Sequence, residues 1–143
     1  MIFLFFPIFT KMFQSTKKKG SHYSSTGIVL YYMIRMEPFT SLAIQLQGGH
    51  FDVADRMFTS VSNCWNGCYG NSSDVKELIP EFFYSAQFLK NCNSFNFGKT
   101  QQGAQMSDVG LPPWAKSAEH FIEVHRQALG GKSKISFKKQ FFF

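Results

Sequence analysis

Acidic residues are missing from both ends of this 143-residue chain: none precedes Glu37 and none follows Glu123. Lys11, Lys17, Lys18, Lys19, Lys132, Lys134, Lys138 and Lys139 are therefore uncompensated, and the ends carry +8. Between residues 21 and 129, four lysines and three arginines face all nine acidic residues, a balance of −2. The formal +6 belongs to the ends. The middle lacks the basic, aromatic-interleaved face that nucleic-acid binding needs.

Cysteine is scarce. Cys64, Cys68 and Cys92 make an odd count, with no C-x-x-C pair and no histidine at zinc-finger spacing. Buried free thiols in a cytosolic protein are the default reading. Cys64 and Cys68 lie four apart, which puts them on one face of a helix. Asn71-Ser72-Ser73 has the form of a glycosylation sequon and reads as a polar loop outside a secretory lumen.

Long apolar runs are absent too. Residues 1–9 are apolar but broken by Pro7, and a membrane-spanning helix needs roughly 20 such residues. A signal peptide would place its lysines before the run and a small-residue site after it; here the lysines follow, and no such site occurs. A short interfacial anchor, with Lys17 to Lys19 against anionic lipid, is the alternative membrane reading.

Catalytic patterns are missing as well. No G-x-S-x-G, Walker or G-x-G-x-x-G sequence occurs. His120 and His125 are five apart, about 140° around a helix, so they cannot share a metal. A hydrolase built on His125 or His50 would rest on those residues alone. The expectation is no enzyme, no cofactor and no metal.

Phenylalanine is abundant but unevenly placed. Phe3, Phe5, Phe6, Phe9, Phe13, Phe137, Phe141, Phe142 and Phe143 are half of the eighteen. Residues 1–19 and 130–143 are thus low-complexity Phe/Lys sequence, of the kind that translated AT-rich noncoding DNA produces. The domain-like part is expected over residues 20–129.

Within it, residues 28–34 are apolar nearly all round, and Ser24, Ser25 and Thr26 as caps favour a helix over a strand. Pro38 opens a second helix reaching about Gln47, which Gly48-Gly49 ends. A third is expected from Asp52 or Asp55, with Met57, Val61, Cys64, Trp65 and Cys68 as its apolar stripe, closed by Gly67 and residues 70–73. Residues 74–79 read as a single helical turn before Pro80, and residues 81–89 as extended. Residues 93–98 and 106–111 read as a hairpin around a Gln/Gly loop. Ser117 caps a last helix with Phe121, Val124 or His125, and Ala128 inward, stopped at Gly130-Gly131.

Several charges sit beside bulky apolar residues, where burial is costly unless they are paired. Arg35, Arg56 and Lys76 against Glu37, Asp55, Glu77 and Glu81, with Asp74 and Trp114 alongside, form a candidate polar or interaction network. Ordinary solvated faces are the alternative.

The same segments resemble a known family. Ser21-His22-Tyr23-Ser24-Ser25, Arg35-Met36-Glu37-Pro38-Phe39-Thr40 and Leu46-Gln47-Gly48-Gly49-His50-Phe51-Asp52 carry the likeness. It continues through Ala54-Asp55-Arg56-Met57-Phe58, residues 74–84, Leu111-Pro112-Pro113-Trp114-Ala115 and residues 121–129. Residues 20–129 are similar to the first part of a BEACH (Beige/Chediak–Higashi) domain, as found in neurobeachin. Ser85-Ala86-Gln87 departs from that family's Leu-Pro-Glu.

The resemblance implies a mainly α fold with irregular extended segments. It implies a cytoplasmic scaffold working through protein partners in vesicle and endomembrane traffic, lysosome biology or autophagy. It also implies a preceding PH-like domain, following WD repeats and a longer second half. On that reading this chain is an incomplete domain, unstable in isolation, and a non-functional truncated product is one alternative. The other is a small membrane-associated protein held by its apolar N-terminus and basic ends.

Overall fold

The computed structural model describes residues 26–129, apart from Val75. The expected caps Ser24 and Ser25, the Gly130-Gly131 stop, the apolar residues 1–9 and both Phe/Lys ends lie outside the described residues.

Among the described residues, four α-helices and three 3₁₀ turns are joined by irregular backbone. Helix α1 is Thr26–Met33 and α2 is Phe39–Leu46. A 3₁₀ turn follows at Ala54–Arg56, then α3, Val61–Gly70. Two more 3₁₀ turns, Pro80–Phe83 and Gln87–Leu89, precede α4, Ala118–Leu129. Isolated bridges join Ser60 to Gly110 in parallel and Lys99 to Gln105 in antiparallel fashion. This is the mainly α fold with irregular segments that the sequence predicts.

Helices α1, α2 and α4 stand where the patterning puts them. Pro38 precedes α2, and Gly48 and Gly49 end it with φ of 77° and 100°, a region open to glycine without strain. The Ser117 hydroxyl accepts from the His120 N–H at 3.1 Å, capping α4. Phe121, Val124 and His125 are buried along its inner face.

Four expectations need correction. Helix α3 starts at Val61, capped by Ser60, whose hydroxyl accepts from Asn63 N–H at 3.0 Å. Neither Asp52 nor Asp55 caps it, and Met57 lies outside it. The backbone just before Ser60 is committed elsewhere: the Thr59 carbonyl accepts from Gly110 N–H at 2.9 Å. Gly67 does not end the helix, which runs on to Gly70. Residues 76–79 form no helical turn, and residues 80–89 are two 3₁₀ turns rather than extended chain. The hairpin shrinks to a tight loop: Thr100 N–H donates to the Ala104 carbonyl at 2.9 Å and Met106 N–H to the Gly98 carbonyl at 3.1 Å.

The core is aromatic. Phe58, Phe88 and Phe121 are fully buried, and Tyr32 and Phe82 nearly so. Phe82 is the hub, with ring centroids 5.1 Å from Tyr32, 4.9 Å from Phe88 and 6.2 Å from Phe121. Such edge-on contacts add about 0.5–1.5 kcal/mol each beyond burial. Through Phe82 the 3₁₀ turn Pro80–Phe83 packs on α4, while α1 packs on α2. A smaller cluster of Ile34, Ala54, Met57, Phe97 and Met106 lies beside the main core, with Phe51 against Phe97 at 4.9 Å.

Candidate functional site

Arg35 sits in the turn that follows α1, and it is fully buried. Its Nε donates to the Ser107 carbonyl and its Nη1 to the Phe58 carbonyl, both at 2.7 Å. The guanidinium lies over the Phe97 ring, 5.4 Å from the centroid. Asn93 Nδ2 donates back to the Arg35 carbonyl at 3.4 Å, and the buried Thr40 hydroxyl donates to the Ile34 carbonyl at 2.7 Å. Arg35 thus ties three irregular segments together between the two apolar clusters. Burial lowers its pKa to about 10, with Asp108 and Tyr31 pulling the other way. It remains a cation at neutral pH.

The expected network does not assemble around it. Arg35 meets backbone carbonyls, not carboxylates. Among the described residues, Arg56 pairs with Asp52 at 3.8 Å, Lys76 with Asp74 at 2.6 Å, and Lys90 with Glu119. Glu37 accepts from the Ser41 N–H and hydroxyl at 3.2 and 3.0 Å, in the first turn of α2. Asp55 accepts from Gln101 N–H at 2.9 Å, and Glu81 from the Tyr84 hydroxyl at 3.0 Å. Glu77 is half-buried. Trp114 stacks on Phe121 at 5.5 Å, beside His125. The charges serve separate local tasks: of the expected set, only Asp74 and Lys76 form an ion pair with each other.

Lys76 is the exception that joins a second cluster. Its amine sits over the Tyr31 ring, 5.1 Å from the centroid. Burial is the largest single influence and works against its charge, but the hydrogen bond and charge of Asp74, with Cys64 and Cys68, together outweigh it and push the pKa up. Nearby, Cys64 and Cys68 share one face of α3, with the Tyr32 hydroxyl 3.6 Å from Cys64 Sγ. The thiols are free as expected, but the expected burial is corrected: Cys64 and Cys68 are only half-buried and Cys92 is exposed. The spacing of the thiols was legible in sequence; the tyrosines beside them were not.

At the other end, His125 Nδ1 lies 2.8 Å from the Phe121 carbonyl, the ring 4.2 Å from that of Phe121. Burial holds its pKa below the usual 6.5, the backbone bond opposing. Arg126 Nε donates to the Phe83 carbonyl at 3.1 Å, fastening α4 to the Pro80–Phe83 turn. No helix among the described residues is long and apolar enough to cross a membrane.

A groove of about 240 Å³ runs between α1, α2 and the Ala54–Arg56 turn, lined by Leu30, Ile34, Leu46, Phe51 and Met57. Leu46 at its edge is 70 % exposed and Leu42 on the same helix 45 %.

The Beige/BEACH domain family model matches residues 8–136, reaching past the region of resemblance at both ends. The chain belongs to the BEACH-domain family. Over 111 residues it is 60 % identical to BEACH domain-containing protein B of Arabidopsis thaliana. It is 56 % identical over 111 residues to BEACH domain-containing protein lvsD of Dictyostelium discoideum, and 56 % over 113 residues to Protein SPIRRIG of Arabidopsis thaliana. Each match takes in 77 % of this chain but only 3–4 % of the relative. The BEACH segment described here is thus a small part of the length of the proteins it matches.

Proposed function

We propose that this BEACH segment works by binding other proteins rather than by catalysis, as a scaffold in endomembrane traffic, lysosome or autophagy pathways. Its place is the cytoplasm, at most peripheral on membranes. Family membership at 54–60 % identity is the observation that carries the reading. The apolar groove edged by the exposed Leu46 supports it, because exposed apolar clusters of this kind mark interaction surfaces.

Proximity labelling in cells tests the proposal. The chain fused to a labelling enzyme is expected to mark endomembrane-associated proteins, and Leu46→Asp to lose most of them. A labelled set indistinguishable from that of the enzyme alone refutes the scaffold reading. A set that survives Leu46→Asp moves the binding surface elsewhere.

A further inference from the structure

Among the residues of α2 only Thr40 is fully buried, so this helix gives little to the core. Leu46, 70 % exposed, edges the groove that Leu30, Ile34, Phe51 and Met57 also line. An exposed leucine beside an apolar lining gains from any apolar group that covers both. At about 240 Å³ the groove is smaller than the roughly 300–1,000 Å³ of a small-molecule site, and it suits a few side chains of a chain segment. Gly27, in the first turn of α1, belongs to the lining. The chain therefore enters the described fold at a wall of this groove. Helix α4 ends elsewhere: it packs on the Pro80–Phe83 turn, and neither element lines the groove.

We propose that residues 2–9 of this same chain occupy the groove and shield it, a regulation that rests on reading the groove as a protein-binding surface. The segment Ile2-Phe3-Leu4-Phe5-Phe6-Pro7-Ile8-Phe9 is apolar throughout. Residues 10–25 join it to Thr26, and a stretch of that length reaches at most roughly 55 Å. That is ample for a groove whose own wall includes Gly27. A segment tethered so closely has an effective concentration in the millimolar range, so an intrinsic Kd of about 1 mM half-fills the groove.

Charge favours the same occupant. Lys11, Lys17, Lys18 and Lys19 follow the apolar residues, with no acidic residue before Glu37. On the groove side, Asp52 belongs to the lining and Asp55 to the turn that walls it; Arg56 opposes them, for a balance of −1. Exposed ion pairs add little affinity, so the lysines orient the segment and the phenylalanines hold it. An outside partner then binds more weakly, in proportion to the fraction of chains whose groove is empty.

Photo-crosslinking of the whole chain is the test, with Phe5 replaced by p-benzoylphenylalanine and equal amounts of light and heavy-isotope protein mixed. Cleavage after arginine and lysine puts Leu46 and Phe51 on residues 36–56, and the Pro80–Phe83 turn on residues 77–90. The expected product is monomer-sized, joins the probe to Leu46, Phe51 or Met57, and never pairs light with heavy chain. Leu46→Asp should cut it about tenfold, the effect of losing one buried leucine. Leu129→Asp, at an equally exposed leucine on α4, should leave it unchanged. The proposal is overturned if no monomer-sized product forms, if the probe maps to residues 77–90 or to α4, or if Leu46→Asp acts no more strongly than Leu129→Asp. Light-to-heavy products overturn it too, and make a second copy the occupant. Proximity labelling separates this from the wider reading. Groove crosslinks beside a labelled set no different from that of the enzyme alone sink the partner reading and leave the occupant standing. A labelled set that depends on Leu46, without groove crosslinks, does the reverse.

Discussion

Truncating Arg35 tests whether one buried cation holds the irregular half of the fold. The guanidinium is fully buried and makes two 2.7 Å bonds to the carbonyls of Phe58 and Ser107. Its pKa falls from 12.5 to about 10. At about 1.4 kcal/mol per unit, holding the charge costs about 3 kcal/mol. Charge-assisted bonds contribute about 1.5–3 kcal/mol each, so two of them match or exceed that cost. In Arg35→Met the cost disappears but two buried carbonyls lose their donor, at about 1–3 kcal/mol each; the net change runs from about 1 kcal/mol of gain to about 3 kcal/mol of loss. Arg35→Ala adds an unfilled cavity and should lose about 3–5 kcal/mol. Arg35→Lys keeps the charge but cannot fork between two carbonyls, and should lose about 2–3 kcal/mol. Urea unfolding followed by Trp65 and Trp114 fluorescence measures the series. Where alanine removes the whole margin, a lost near-ultraviolet dichroism signal reports it. The penalty on the cation operates below the folded-state pKa and is relieved only as pH rises from about 10 toward 12.5. The differences should therefore be flat between about pH 5 and 9. An alanine variant within about 1 kcal/mol of wild type, or a methionine variant more stable by well over about 1 kcal/mol, refutes the role given to Arg35.

Acid should weaken the α4 end. The folded state keeps His125 neutral, so the unfolded chain takes the proton first and stability is lost as pH falls below 6.5. His125→Gln should flatten that part of the melting-temperature profile; an unchanged slope assigns it to other groups. Ser60→Ala removes the α3 cap and should cost about 1 kcal/mol by urea midpoint. Gly110→Ala would place its Cβ 2.8 Å from Ser60 Cβ, where both backbones are hydrogen-bonded, and should cost about 1–3 kcal/mol. Ser60→Gly in the same chain removes that clash and should recover most of the loss beyond the cap; no recovery would disprove the clash.

Helices with their own punctuation were legible. Ser117 and the inward Phe121, Val124 and His125 define α4 locally, and Gly48-Gly49 stops α2 for a conformational reason visible in the residue type. The start of α3 was not legible, because tertiary contacts decide it. Aspartate at 52 or 55 is as good a cap as Ser60. Yet Phe58 is fully buried with its carbonyl held by Arg35, and Thr59 is bridged to Gly110. With those carbonyls engaged across the fold, the helical ladder begins only at the Ser60 carbonyl, which accepts from Cys64 N–H at 3.1 Å. Residues 80–89 failed for a related reason: aromatic composition suggests strand, but Phe82 and Phe88 must turn toward one core, and short 3₁₀ turns do that.

The misreading of the charges follows from the same physics. Sequence reasoning sought carboxylate partners for basic residues embedded among apolar ones, because an ion pair is the familiar way to bury a charge. Irregular backbone offers another. Without helix or sheet ladders, its carbonyls need donors wherever they are buried. Arg35 supplies Phe58 and Ser107, Asn91 supplies Phe95 at 2.8 Å, and Arg126 supplies Phe83. A long side chain with several donors suits this task, since it can reach across a gap and bond two segments at once. Polar residues in the apolar stretches of this chain therefore follow from how little of its core backbone is regular. Substituting them is expected to show as lost stability first, and as lost binding only through it.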